Sequence, residues 1–399
     1  MQLTAPQPDR IDALADLFAM TFSDYWDRSR YVHDGYITDS SYDWAASRIG
    51  VEDDRIVTHF GVWDFGMRIG SVACRMAGIG AVETHDKYRK RGLMAQTAAD
   101  CVSGLRGAGY DLSLLFGIPG FYHRFGYVRS FGEGTFTLTT RDLPVPERAP
   151  EYKPYTGDVA SLAAMYNAEN ERVTGTYVRP TYRLNRKPKT FGIYAFDGGY
   201  VIAGRVRDAI ELADCAGDPA TIVAILRDLA VREICAEISL VFLPRRSRLG
   251  EYVQTLSHRF TLSRNASGGP MFRLVNLPAL AGKLIPVFNE RLAAAGEGVG
   301  GYSGSVVLCG HDEAVALEIS GGTVDRIEPV DHKDAAIGPV AGCGGVVDAG
   351  HALVRFFVGD DHPDRICVQT GATLSGDARW LAPTLFPDQE PSTILWDRF

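Results

Sequence analysis

Several classes of site are missing from this 399-residue sequence. Its seven cysteines are widely spaced, with neither a C-x-x-C pair nor a Cys/His cluster of zinc-finger spacing, so we expect buried thiols in a reducing cytoplasm and no metal site. It has no G-x-x-x-x-G-K-[ST] loop and no dinucleotide fingerprint. No apolar run reaches the roughly 18 residues of a membrane helix. Asp9 and Asp12 stand where a secretory signal would be basic and then apolar, which also favours a cytoplasmic location.

An excess of positive charge is missing as well. The chain has 41 Lys+Arg against 49 Asp+Glu, a net charge of −8, which argues against a general nucleic-acid surface. A hydrophobic fraction of 46% and a charged fraction of 23% exclude intrinsic disorder. At about 100–200 residues per domain, the length predicts two or three domains, each with its own core.

Apolar spacing organises the first part of the chain. Asp9 is placed to cap a helix whose apolar residues recur three and four apart. A second helix is predicted from Gly92 to about Leu105, followed by the strand Leu112–Phe116 and a Gly/Pro turn. Between the helices, glycine-containing turns separate three predicted antiparallel strands, Arg55–Trp63, Met67–Met76 and Gly78–Thr84.

A proline-rich connector at 143–150 marks a domain boundary. Beyond it we predict a helix near Asp158–Asn170, a hairpin that turns at 197–199, a helix capped by Asp218 and the strand Ile234–Leu243. This order repeats that of the first part without its glycine-and-arginine turn. We therefore expect a degenerate second copy of the same fold.

The third part begins near Pro286, after an apolar connector, Leu277–Leu284. It contains a helix, several strands separated by glycines, and a helix through Trp380 and Leu385. The chain ends in an apolar stretch, 392–399. Because chain ends are usually polar and frayed, we expect this end to be docked.

A basic turn, Arg89-Lys90-Arg91-Gly92, is the sharpest local feature, and it lies between a predicted strand and a predicted helix. Such a turn presents unpaired N–H groups at the positive end of the helix, which suits a pyrophosphate. The basic side chains add charge, and Gly92 places no Cβ in the path of a phosphate. Chance alone puts a basic residue three positions before a glycine about four times in this chain, so a solvated basic turn remains an alternative.

The second feature is the segment FYHRFGY, at 121–127, which follows Gly92 after one helix and one strand. With these motifs in this order, the sequence resembles the GNAT acyltransferase superfamily, whose members pair an R-x-x-G-x-x turn with a Y-x-x-x-G-[FY] element. The segments RKRGLM and FYHRFGY look closest to the Eis-type (enhanced intracellular survival) N-acetyltransferases.

The resemblance implies an α+β fold in three parts. Tandem GNAT-like domains, each a mixed and mostly antiparallel sheet flanked by helices, precede an α/β domain similar to sterol carrier proteins. On this chain the implied parts are a catalytic domain at 1–142, a degenerate GNAT-like domain at 151–285 and a sterol-carrier-protein-like domain at 286–399. A homo-hexamer is implied as well.

The resemblance also implies acetyl-CoA as the acetyl donor. A strand would hold the pantetheine arm through its backbone, and the basic turn with the start of the helix would bind the pyrophosphate. The implied cofactor-binding residues are Val82, Glu83, Thr84, Arg89, Lys90, Arg91, Gly92, Leu93, Met94, Ala95, Gly117 and Ile118. Two of them depart from the family pattern: Met94 replaces a Gly or Ala, and Glu83 stands where an apolar residue is common.

Two residues match the catalytic groups of the family. Tyr122 matches the general acid, and a phenol with a pKa near 10 can protonate a leaving thiolate whose pKa is about 8.5. The terminal carboxylate of Phe399 matches the general base. With a pKa near 3.5 it needs desolvation or a relay water to accept a proton from an ammonium group. The alternatives are a core tyrosine and a hydrophobic anchor.

We therefore expect an acetyl-CoA-dependent N-acetyltransferase, in which a primary amine of a small molecule attacks the thioester directly. The family implies aminoglycoside-like or polyamine-like acceptors, with no nucleic-acid or membrane partner. Asp24 and Trp26 would hold the cationic amine through charge and cation–π contact, the alternative being that they are surface residues. Arg398 would weaken such binding if it faced the pocket. The alternative function is a non-catalytic sensor of acyl-CoA or lipid that uses the C-terminal part.

Overall fold

The structure, a computed structural model, describes residues 1–22, 36–38, 40–180, 191–265, 267–331, 344–394 and 397–398. It divides into two compact units. Unit 1 consists of Met1–Ser130 and Ala266–Gln389, and unit 2 consists of Phe131–Asn265 and Glu390–Arg398. The chain thus leaves unit 1, forms unit 2 and returns to unit 1, and its last described residues belong to unit 2.

The strands alternate with helices through most of the chain. In chain order the strands are β1 (Gln2–Thr4), β2 (Arg48–Glu52), β3 (Arg55–Ile69), β4 (Val72–Thr84), β5 (Leu112–Gly117), β6 (Val128–Arg129), β7 (Glu133–Thr139), β8 (Lys153–Pro154), β9 (Phe191–Phe196), β10 (Gly199–Val206), β11 (Ala209–Ala216), β12 (Glu237–Val241), β13 (Arg259–Ser263), β14 (Gly269–Leu274), β15 (Gly304–Gly310), β16 (Ala314–Ser320), β17 (Thr323–Val330), β18 (Gly345–Gly350) and β19 (Thr373–Gly376).

The α-helices range from one turn to four turns in length. In chain order they are α1 (Ile11–Thr21), α2 (Leu93–Gly104), α3 (Val159–Glu169), α4 (Pro219–Arg232), α5 (Arg248–Val253), α6 (Leu277–Lys283), α7 (Ile285–Ala294), α8 (Glu297–Gly300), α9 (Leu353–Val358), α10 (Pro363–Thr370) and α11 (Ala378–Leu385). No described helix is both long enough and apolar enough to span a bilayer.

Unit 1 contains two sheets. The first has seven strands in the order β1-β2-β3-β4-β5-β14-β6, and only β4 and β5 run parallel in it. Helix α2 connects these parallel strands and packs Ala98, Cys101 and Val102 into the core on one face of the sheet. The second sheet has five strands in the order β17-β16-β15-β18-β19. The mixed, mostly antiparallel sheet predicted for the first part is therefore present.

Unit 2 repeats the strand–helix–strand arrangement. Its seven-stranded sheet has the order β13-β7-β12-β11-β10-β9-β8, and α4 connects the parallel neighbours β11 and β12. The predicted cap of α4 is confirmed, because Asp218 accepts from the Thr221 N–H at 2.8 Å, and Asp158 caps α3 in the same way by accepting from the Ser161 N–H at 2.8 Å. The hairpin predicted at 197–199 joins β9 to β10.

The three strands predicted between residues 55 and 84 are in fact two. Gly66, which lies between two of the predicted strands, and Gly78, the predicted start of the third, lie inside one long hairpin, where Gly66 pairs with Arg75 and Gly78 with Trp63. The chain reverses instead at Gly70, whose φ of +57° suits a residue without Cβ. The interpretation was wrong because the pairing of β3 with β4 outweighs the weak turn preference of an isolated glycine.

Two other local predictions were also wrong. The apolar connector Leu277–Leu284 is mostly helix α6, whose N–H at Ala279 is capped by the Asn276 side chain at 3.2 Å. Asp9 does not cap α1, because it lies within a 3-10 turn, Pro8–Arg10, that precedes the helix. In both places the helix boundary is set a few residues from the position that apolar spacing indicates.

Candidate active site

The two parallel strands of unit 1 separate at the carboxyl end of their ladder. β4 and β5 are paired from Met76 opposite Leu112 to Ile79 opposite Leu115, and beyond that point β4 remains paired with β3 while β5 continues beside β14. Ala81 has a φ of +44°, and the β3 register shifts between His59 and Gly61. This bulge bends β4 away from β5. Residues 82–84, predicted to hold pantetheine, therefore have no strand partner on the β5 side among the described strands.

The start of α2 has the geometry of an anion site. Gly92 precedes the helix with a φ of +75° and provides no capping side chain, and Lys90 has a φ of +62°. Such reversals gather successive N–H groups into a concave site, and the first amides of a helix have no intrahelical acceptor. A Cβ placed on Gly92 would have no protein atom within 4 Å. The space over this turn is therefore open to a ligand.

The basic side chains of the turn lie at the surface. Arg89 Nη2 is 2.6 Å from the Asp86 carboxylate, and Arg91 Nη2 is 3.1 Å from that of Glu52. Ion pairs this exposed are weak, so a phosphate with more than one charge can displace either carboxylate. The backbone amides, which have no competing cap at Gly92, are therefore the fixed part of the cradle.

Tyr122 lies in a short 3-10 helix, Tyr122–Phe125, that follows β5. Its side chain is 7% exposed, and no described residue forms a hydrogen bond with its hydroxyl. The rings of Phe121 and Tyr127 contact it at centroid distances of 4.9 and 6.2 Å. A Cβ on Gly117 would lie 3.0 Å from the Tyr122 ring, so the end of β5 packs directly on it. Burial raises the pKa of Tyr122 to about 12, and the phenol is protonated at neutral pH.

One apolar cluster connects these parts of the site. Tyr122, Leu115 and Ile79 belong to its buried core, and Val82 and Met94 pack against it. The divergent end of β4, the first turn of α2 and the proposed acid are thus brought together as the motifs predict. The predicted residues Asp24, Trp26 and Phe399 lie outside the described residues.

The comparisons with known proteins agree with this geometry. Residues 5–129 match the sequence profile of a family described as Acetyltransferase (GNAT) domain. This part of the chain is a GNAT acetyltransferase domain. Enzymes of this family use acetyl-CoA as the acyl donor, so the enzyme class and the donor predicted from the sequence are confirmed for this domain. No curated protein matches the sequence significantly.

Solved structures resemble the chain over its whole length. A GCN5-related N-acetyltransferase from Anabaena variabilis has a TM-score of 0.73 at 16% identity, covering 98% of this chain and 99% of that one. One from Kribbella flavida has a TM-score of 0.68 at 18% identity, covering 100% and 98%. Eis1 from Mycobacterium abscessus has a TM-score of 0.67 at 16% identity, covering 97% of both chains. The tandem GNAT fold and the Eis-type resemblance are thus confirmed at the level of the fold.

Unit 2 has a different helix start from the GNAT domain. Where Gly92 leaves α2 uncapped, the Asp218 carboxylate accepts hydrogen bonds from the Thr221 side chain at 2.7 Å and from the Thr221 N–H at 2.8 Å. These hydrogen bonds lower the pKa of Asp218 and keep it charged. A carboxylate at this position occupies the amides that would bind a phosphate and repels a second anion. The start of α4 therefore does not offer the open anion site that the start of α2 offers.

A buried polar pair in the GNAT domain escaped the sequence analysis. His59 on β3 lies opposite Glu83 on β4, with Nδ1 3.2 Å from Oε1, and His59 Nε2 is 2.8 Å from the Tyr42 hydroxyl. Burial lowers the pKa of His59 to about 3 and raises that of Glu83, although the Thr21 side chain opposes the latter shift. Burial therefore favours the neutral form of each group. The signal was a histidine and a glutamate within buried stretches of two strands, but only the register shows that they pair.

We expect the E83Q variant to show how this pair affects stability. Because the pKa of Glu83 is raised in the folded state, folding binds a proton above the unfolded pKa, and wild-type stability falls as the pH rises from about 4.5 toward the folded pKa. The glutamine side chain cannot ionise, so the variant should gain in unfolding free energy over the wild type across that range. Denaturant-induced unfolding at several pH values measures this free energy, with E328Q at the exposed Glu328 as the control. A pH-independent difference would show that Glu83 is charged in the fold.

The open space over Gly92 gives a second prediction. The G92A variant places a Cβ where a diphosphate oxygen would lie, and we expect CoA binding to weaken by about tenfold or more. The matched control is G371A, because Gly371 has a φ of +78° and likewise no atom within 4 Å of a Cβ. Both variants carry the same backbone strain, so their melting temperatures should fall by similar amounts. Calorimetry should find weaker CoA binding only in G92A. Equal CoA affinities would show that the turn does not hold the diphosphate.

Proposed function

We propose that the GNAT domain transfers an acetyl group from acetyl-CoA to a primary amine of a small molecule, and that the amine attacks the thioester directly. The observation that carries this proposal is the divergence of β4 from β5 beside the uncapped start of α2 and the buried Tyr122. An unpaired strand edge suits the amides of a pantetheine arm, and helix amides suit a diphosphate. A buried phenol that stays protonated can donate its proton to a leaving thiolate.

Tyr122 acts as the general acid in this proposal. Its hydroxyl has no described hydrogen-bond partner to hold its proton, so the proton is available to a group that enters the site. The burial that raises the pKa of Tyr122 to about 12 also disfavours a thiolate in the same place, which raises the affinity of the leaving sulfur for that proton. Burial thus raises the pKa of both the phenol and the leaving thiol, so it does not disfavour proton transfer from one to the other.

The terminal carboxylate of Phe399 acts as the general base. A carboxylate takes a proton from an ammonium group only when desolvation raises its pKa or when a water relays the proton. The residues just before Phe399 support a desolvated setting, because Ile394 and Asp397 are buried in unit 2. Asp24 and Trp26 are proposed to bind the acceptor.

Cationic acceptors of the aminoglycoside or polyamine type fit this proposal. Arg398, which would repel them from the pocket, has its guanidinium in an ion pair with Glu133 and 4.2 Å from the centre of the Phe242 ring. Its charge is therefore balanced within unit 2. A panel of amines with acetyl-CoA, read by thiol release, tests the function, and no thiol release from a folded, CoA-binding protein would refute it.

The remaining features implied by the resemblance stay predictions. They are the domain boundaries 1–142, 151–285 and 286–399, the sterol-carrier-protein-like character of the last part, the hexamer and the cytoplasmic location. Light scattering at micromolar protein tests the hexamer directly, and a monomer would contradict it.

We expect the Y122F variant to lower kcat by about a hundredfold, the scale of a lost general acid. Its CoA affinity and melting temperature should be unchanged, because the hydroxyl has no described partner to lose. The control is Y127F in the same cluster, where the hydroxyl lies 2.7 Å from Ser113 Oγ. Its loss should cost about 1 kcal/mol of stability but little kcat. Full activity in Y122F would mean that Tyr122 is a core residue only.

A glycine added after Phe399 tests the base. The extension displaces the carboxylate by about 3.5 Å, so kcat should fall strongly. The F399L variant keeps a carboxylate in place and should retain most of kcat. If Phe399 were only a hydrophobic anchor, the extension would be tolerated and a smaller side chain would not. Steady-state kinetics with both variants separates the two roles.

A further inference from the structure

The last described residues of the chain, 390–394 and 397–398, form a tail that packs within unit 2. Ser392 donates a hydrogen bond to the Phe242 carbonyl at 2.8 Å, and Glu390 forms an ion pair with Arg245. Gly175 packs so closely that a Cβ there would lie 2.8 Å from the backbone of Ser392. The segment is therefore held at its start by backbone and side-chain contacts that leave little room for sliding.

Ile394 lies at the parallel strands of unit 2, the counterpart of the strands that separate in unit 1. It lines a cavity together with residues of β11 and β12, the parallel strands that correspond to β4 and β5. The cavity has a volume of about 30 Å³, room for one or two waters. Unit 2 thus uses its parallel strands to seat a segment of its own chain.

Asp397 is held by a two-pronged ion pair. Its carboxylate accepts from Arg179 Nε at 3.1 Å and from Arg179 Nη2 at 3.0 Å, and its side chain is almost fully buried. Arg179 is fixed in turn by Asp214 and by the Tyr166 ring, whose centre is 3.5 Å from the guanidinium carbon. Burial opposes the charge of Arg179, but the carboxylates of Asp214 and Asp397 outweigh it and raise its pKa.

Arg398 is held by a separate, oppositely charged partner. Its guanidinium forms an ion pair with Glu133, which also accepts from Asn265 Nδ2 at 3.1 Å, and it lies against the Phe242 ring. Two successive residues of the tail thus carry opposite charges, and each is bound to its complement on unit 2. A shift of the tail by one residue would place Asp397 at Glu133 or Arg398 at Arg179, which like-charge repulsion forbids.

We infer that Arg179 and Glu133 are positioning residues: they fix the register of the tail and thereby the location of the terminal carboxylate. This inference rests on the proposed function, in which that carboxylate is the base. The degenerate unit then has a task in catalysis without binding a donor. Arg179 and Glu133 touch neither substrate nor reacting atoms, and they act through Asp397 and Arg398.

The test uses variants that leave the tail sequence unchanged. R179K keeps the positive charge but loses the two-pronged geometry, and E133Q removes the charge that binds Arg398. The matched control is R232K, which alters a surface ion pair of the same unit, Arg232 Nη2 to Asp228 Oδ2 at 2.8 Å. The full-length protein is treated with a carboxypeptidase, and release of Phe399 is followed by intact mass. Steady-state kinetics and thermal melts are recorded in parallel.

We expect release of Phe399 to be at least about tenfold faster in R179K and E133Q than in the wild type or R232K. We also expect kcat to fall by about tenfold or more with an unchanged KM for acetyl-CoA, because the donor site is untouched. If R179K does not fold, E133Q, which leaves the Asp397 pair intact, carries the test. Unchanged release of Phe399 would overturn the inference, and faster release with unchanged kcat would overturn the positioning role. Failure of the proposed base is recognised separately, since the glycine-extended wild type would then keep its kcat.

Discussion

The parting of two parallel strands after Ile79 is the constraint on which the site depends. A parallel ladder pairs the backbone N–H and C=O groups that face the neighbouring strand, and a bulge with a left-handed residue at Ala81 ends that pairing on one side of β4. On that side residues 82–84 have no partner among the described strands, and a side chain contacts only the Thr84 carbonyl, where Arg89 Nε donates at 3.4 Å. An extended ligand with its own amides supplies such a partner, and the fold of the GNAT domain thereby creates a binding edge inside a sheet.

The two units show how little separates a ligand site from a structural one. Both place a helix between parallel strands, but α2 begins after Gly92 and α4 after Asp218. A glycine leaves the helix amides open to an external anion, whereas an aspartate satisfies them internally and adds a negative charge. In unit 2, Ile394 of the tail lines the cavity at the parallel strands β11 and β12. The same architecture therefore binds a donor in one unit and a segment of its own chain in the other.

Local features were predictable from the sequence, and features set by pairing were not. The caps of α3 and α4 depend on an aspartate and the three residues after it, and both were found at Asp158 and Asp218. The long hairpin was missed, since Gly66 and Gly78 look like turn residues until their partners across β3 and β4 are known. For the site, the motifs predicted the turn and Tyr122, and Glu83 was predicted only as a cofactor-binding residue that departs from the family pattern. Its contact with His59 depends on a register that a bulge shifts.

The charged residues near the chain end illustrate a balance between stability and specificity. Burying Asp397 and Arg398 costs desolvation free energy, and apolar residues could have anchored the tail at lower cost. An apolar anchor, however, tolerates a slip of one residue, while alternating charges against Arg179 and Glu133 do not. Such a cost is expected where the exact position of the next group matters more than the stability of the contact. Within unit 2, Glu133 also balances the charge of Arg398, so that in the proposed function this cation need not neutralise the terminal carboxylate.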